Sequence, residues 1–212
     1  MKKLSAILLL FFGLVGFSAA QTVTIGNQVW TTKNLNVDKF RNGEAIPQAK
    51  TIEEWEAAAE NKQPAWCYHE FNPDYSDVYG KIYNWHAVND PRGLAPKGWH
   101  IPSDTEWTTL INFLGGEEVA GSKLKSISGW NGDGNGTNES GFSAIPSGYL
   151  FFGEGGVLFE SFDGSYGTST SWWSSTEESE NYAWYRSLYS SSDVGRDSNY
   201  KDNGSSVRCI KD

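Results

Sequence analysis

"GWHIPSDTEW", Gly98 to Trp107, sets a histidine, a serine and two carboxylates among two tryptophans. Ser103 and Glu106 stand three apart, just before Trp107, Leu110, Ile111 and Leu114. That spacing is a capping box: the serine hydroxyl accepts from the N–H of Glu106, and the glutamate carboxylate accepts from the N–H of Ser103. The apolar residues fall at i, i+3, i+4 and i+7, one face of a helix, and Gly115-Gly116 stops it. Asp104 in the first turn suits the positive end of the helix dipole. Asp104 and Glu106 are two apart and do not face each other as an acid and base would. No HExxH spacing surrounds His100. The stretch therefore reads as the start of a helix, with His100 a packed histidine hydrogen-bonded to backbone.

Outward from that helix, "TIEEWEAAAE" repeats the signal, with Thr51 and Glu54 as the cap and Trp55, Ala58 and Ala59 as the buried stripe. "TVTIGNQVW" predicts an opening hairpin and "FRNGEAI" a second one at Asn42-Gly43. "PAWCYHEF" and "VYGKIYNWHAV" predict extended segments, and "GEEVAGSKLKSI" a short third helical turn. Residues 128–141 are nearly all Gly, Asn, Ser, Asp and Thr and must be a loop. "FSAIPSGYLF", "GGVLFESF", "TSTSWWSST", "NYAWYRSLYS" and "SSVRCIKD" read as strands. Strands, two helices, then strands, with no alternating unit, make an α+β domain.

Residues 1–20 hold two lysines, an apolar run from Leu4 to Phe17 and then Ser18, Ala19 and Ala20, the pattern of a secretory signal peptide. The expected mature domain is 21–212, and the expected location is secreted, periplasmic or cell-surface. Without Lys2 and Lys3 the basic residues number 17 − 2 = 15 against 26 acidic ones, a formal charge of 15 − 26 = −11. Such a balance argues against nucleic acid and anionic lipid as partners. Signal cleavage leaves no segment expected to insert in a membrane. Cys67 and Cys209 are the only cysteines. In an exported chain a single disulfide between them is the economical reading, worth on the order of 4–5 kcal/mol by chain entropy. Two free buried thiols are the alternative.

Three further stretches bear on chemistry. Asn131, Asp133 and Asn135 alternate before Gly136, the first half of a calcium loop, and Glu139 is the nearby carboxylate. Phe142 stands where a bidentate glutamate would be needed, so a solvated Gly-Asn turn is the plain alternative. Trp172 and Trp173 are adjacent and point to opposite faces of a strand, one to the core and the other as a candidate platform for a sugar ring; core or rim packing of both is the plain alternative in a chain with so many aromatics to bury. No G-x-S-x-G elbow, P-loop or zinc spacing is present, and His69-Glu70 and His86 have no partner at motif spacing. The chain is expected not to be an enzyme.

The ordered blocks "TIGNQVWTTKNLNV", "WCYHEF", "YGKIYNWHAV", "APKGWHIPSDTEWTTL", "GTNESGFSAIPSGY", "WWSST" and "SVRCIKD" together resemble the Fibrobacter succinogenes major paralogous domain family, from about Thr24 to Asp212. That family is similar to the C-type lectin-like superfamily, which includes formylglycine-generating sulfatase-modifying domains. The resemblance implies two helices packed on small twisted antiparallel sheets, with long loops. Family members often carry a cysteine where this chain has Ala95, which leaves Cys67 as the intrachain partner for Cys209. The formylglycine-generating relatives use a pair of late cysteines, of which only Cys209 is matched. The implied function is a secreted, non-catalytic binding or adhesion module for polysaccharide or a cell-surface partner. A novel or degenerate enzyme on that scaffold and a structural surface protein are the alternatives.

Overall fold

The computed structural model describes residues 22–153, 156–160 and 167–212. The expected signal peptide lies outside them. The opening hairpin joins Thr22–Ile25 (β1) to Gln28–Thr31 (β2). Ile52–Glu60 (α1) starts at Thr51, whose hydroxyl accepts from the Glu54 N–H at 3.3 Å. The Glu54 carboxylate overshoots the expected box and accepts from Lys50 N–H at 2.6 Å. Trp66–Cys67 (β3), Ser76–Tyr79 (α2) and Ile82–Asn84 (β4) follow. Trp85–Val88 (α3) corrects the extended reading of "NWHAV", because the Asn84 side chain accepts from the Ala87 N–H and caps a turn of helix there.

Trp99–His100 (β5) leads into Asp104–Phe113 (α4), where both halves of the predicted capping box form. Ser103 Oγ accepts from Glu106 N–H at 3.3 Å, and the Glu106 carboxylate accepts from Ser103 N–H at 2.8 Å. Glu117–Leu124 (α5) is the short third helix. Then come Tyr149–Gly153 (β6), Gly156–Glu160 (β7), Thr170–Glu177 (β8), Tyr182–Leu188 (β9), Val194–Tyr200 (β10), Gly204–Ser205 (β11) and Ile210–Lys211 (β12).

The strands form three small antiparallel sheets, ordered β1-β2-β12-β5, β10-β9-β8 and β3-β4-β11-β6-β7. The molecule is thus α+β, with its last strand, β12, paired to β2 of the opening hairpin. β11 threads between β4 and β6 only because Gly204 has no side chain: a Cβ there would come within 2.5 Å of Ile82. One core cluster sets α4 and α5 against Trp30, Phe142 and Trp172; a second surrounds Tyr83, Trp85 and Trp173; a third holds Trp55, Ile82 and Leu150.

Candidate functional site

Neither Trp172 nor Trp173 offers a platform for a sugar ring: both are core residues, the alternative reading of that pair. Trp172 and Trp173 are 1% and 0% exposed, and their indole N–H groups donate to Asn34 Oδ1 and Tyr83 O, each at 2.9 Å. Strand alternation did send them to opposite faces, but β8 is covered on both, by the first core cluster and by the second. The expected disulfide is also corrected. Cys67 and Cys209 are free thiols, each fully buried, in separate clusters. Burial pushes the Cys67 thiol up, and raises Cys209 to about 12.

The oxygen-rich loop commits groups to its own turns and to Ser190. Asn135 Oδ1 accepts from Trp130 N–H at 3.0 Å, and the Asn131 carbonyl accepts from Gly134 N–H at 3.1 Å and from Ser190 Oγ at 3.2 Å. Asp133 and Glu139 are exposed. Among the described residues, no three His, Cys, Asp or Glu side chains are grouped so as to hold a metal ion.

The exposed aromatic surface lies instead on the β9–β10 hairpin, and β10 is a strand that the sequence did not announce. In this register Tyr182 pairs with Tyr200, Trp184 with Ser198 and Arg186 with Arg196, so all six share one face. The Tyr182 and Tyr200 rings lie 4.3 Å apart, and the Arg196 guanidinium sits 3.8 Å from the Trp184 ring centre. Tyr200 is 45% exposed, and Tyr182 and Trp184 are half-buried.

Two anchors hold this face. At the turn end, the Lys125 ammonium donates to the carbonyls of Tyr189, Ser190 and Ser191 at 2.6–3.1 Å. Gly121 lets Ser192 approach so closely that a Cβ would lie 2.4 Å from the Ser192 carbonyl. Across the middle, Asp104 takes Arg186 at 2.6 Å and Arg196 at 2.9 Å, so the helix-start acid also fixes the arginine that covers Trp184. Burial acts to raise the Asp104 pKa, but the two guanidinium groups prevail and hold it below the usual carboxylate range. Arg186 has its pKa lowered by burial against the pull of Asp104.

The free edge of β10 is less available than its face. Ser198 and Tyr200 donate their N–H groups to Asp197 Oδ1 at 2.7 Å and Asn199 Oδ1 at 3.0 Å. Side-chain oxygens thus occupy amides that would otherwise recruit another strand.

His100 is not the backbone-bonded histidine the sequence suggested. Its Nδ1 lies 2.8 Å from Asp212 Oδ1 and its Nε2 2.9 Å from Glu106 Oε1. Two carboxylate acceptors require both nitrogens to carry protons. Burial lowers its pKa, but Glu106 and Asp212 outweigh burial and raise it overall. This arrangement ties β12 to the start of α4 and leaves no free base. His86 likewise lies 2.9 Å from Asp202.

Comparison with curated proteins and with solved structures gives no match. The sequence model described as the Fibrobacter succinogenes major domain matches residues 23–211, nearly the whole of the described fold. By that match, the chain belongs to the Fibrobacter succinogenes major domain family.

Proposed function

We propose that this protein is a non-catalytic surface module that binds through the β9–β10 face, with a neutral polysaccharide as ligand. The carrying observation is the half-exposed strip of Tyr182, Trp184 and Tyr200, held in place by the Asp104–Arg196 pair. Partly exposed rings with polar neighbours are the side chains that stack on sugar rings and dominate binding surfaces. Arg196 is committed to Asp104 and to the Trp184 ring, so it does not stand free to recruit an acidic ligand. The C-type lectin-like fold and export to the periplasm or cell surface belong to the same proposal. Two capped helices, small antiparallel sheets in which the last strand pairs with the opening hairpin, and the leader-like residues 1–20 support them. No helix among the described residues is long and apolar enough to cross a membrane.

A glycan array probed with wild type and with Trp184→Ala tests the reading. Saturable binding by wild type that Trp184→Ala loses is expected. Binding that Trp184→Ala retains, or none by wild type, would remove the β9–β10 face as a sugar site.

A further inference from the structure

The segment from Tyr68 to Gly80 gathers a second set of functional groups that the β9–β10 face does not use. The rings of His69, Tyr75 and Tyr79 lie 5.2–5.5 Å apart, and all three side chains are half-buried. Glu70 is close enough for its charge to act on both His69 and Tyr79. Glu70 and Phe71 have φ of 51° and 55°, a left-handed conformation that such side chains rarely adopt and that concentrates at functional positions.

The neighbouring fold clamps this backbone. Asn34 Nδ2 donates to the Tyr79 carbonyl at 3.0 Å, and Asn36 Nδ2 donates to the Ser76 carbonyl at 3.2 Å and to Ser76 Oγ at 3.1 Å. Gly80, at φ 74°, passes so near the Leu35 carbonyl that a Cβ would lie 2.9 Å from it. The ring cluster is therefore held ready rather than assembled on contact.

Its electrostatics favour one sign of ligand. Among the described residues, Glu70, Asp74 and Asp77 form no ion pair. Lys81, which follows the segment, turns its ammonium to Asn36 Oδ1 at 2.5 Å and to the Trp66 ring at 4.5 Å. Burial holds the His69 pKa below its ordinary value despite Glu70 and the Ser147 carbonyl, so the imidazole is neutral at neutral pH and does not repel a cation. Burial, Tyr75 and Glu70 together keep Tyr79 protonated.

We propose that this cluster binds a small organic ammonium group, its charge directed to Glu70 and its hydrocarbon surface laid on the Tyr75 and Tyr79 rings. The site is independent of the sugar-binding reading.

The probe is Nα-acetyl-lysine methylamide, with Nα-acetyl-norleucine methylamide as its uncharged control, titrated to about 50 mM at constant ionic strength. The readout is the ring-proton NMR signals of Tyr75 and Tyr79. Saturable shifts are expected with the lysine compound and not with the norleucine one. Glu70→Gln weakens the interaction by about threefold or more, Glu70→Lys abolishes it, and Trp184→Ala leaves it unchanged. Absence of a saturable shift, equal shifts from both compounds, or undiminished affinity in folded Glu70→Gln would overturn the proposal.

Discussion

Arg208 shows how single residues fix this molecule. It is 1% exposed, and its donors go to Asn34 Oδ1 and to the carbonyls of Thr31, Phe142 and Ser143, none of them a carboxylate. Its guanidinium also lies 4.5 Å from the Phe142 ring centre. Burial pulls its pKa down to about 9, which still leaves it charged at neutral pH. Arg208→Leu strands several buried oxygens, so urea unfolding is expected to show a loss of roughly 3–5 kcal/mol. Arg208→Lys recovers only part, because an ammonium lacks the fork that reaches four oxygens. A loss under about 1 kcal/mol for Arg208→Leu would contradict this role.

His100 gives a pH signature at the same scale. Its folded pKa is raised, so its contribution is fully present below the unfolded value of about 6.5 and is lost as pH rises through the folded value. Glu106 is lowered, with burial opposing and the Ser103 N–H and His100 prevailing; its contribution is present above the unfolded carboxylate pKa and fades as pH falls through the folded one. The stability gap between wild type and His100→Gln should therefore be widest between those ranges and close toward pH 9. At 40% side-chain exposure the gap should stay under about 1 kcal/mol. Denaturation curves from pH 4 to 9 measure it, and a gap that widens on the alkaline side would refute the assignment. Glu106 is six residues away and could be suspected from sequence, whereas Asp212, 112 residues away, could not.

At the scale of elements, α4 was legible because its signals are local: a cap, an apolar stripe and a glycine stop within one short run. β10 was not, because "SSDVGRDSNY" has the composition of a loop and becomes a strand only by pairing with β9. The candidate binding face depends on that pairing, so it stayed hidden with the strand. Alternation at Trp172 and Trp173 leaves a platform and a fully packed pair both open for a related reason: it gives the face of a side chain but not the layers that cover it. Asp104 carries a second function that local spacing also concealed. Ser103→Ala should cost about 1 kcal/mol, the usual value of a cap. Asp104→Ala should cost roughly 3–5 kcal/mol, because it leaves the buried Arg186 uncompensated. Equal losses in urea denaturation would show that Asp104 serves only the start of the helix.

Across the whole molecule, a chain of formal net charge −9 keeps several cations inside on neutral oxygens and aromatic rings. Lys81 rests on Trp66, Lys125 on Trp130 and Arg208 on Phe142. The three core clusters are closed by these contacts and by strand pairing, with both cysteines free. Thiol reagents should therefore label neither cysteine in the native state and both in urea, and reductant should leave Tm unchanged. A fall in Tm on reduction would restore the disulfide.

The central claim concerns the surface that this scaffold presents. For a glycan identified by array, calorimetry should give a Kd at least about tenfold weaker for Trp184→Ala than for wild type, as expected for an aromatic at the centre of a contact. Phe113→Ala, which removes an exposed ring of α4, should bind like wild type. An unchanged Kd in folded Trp184→Ala would contradict the account.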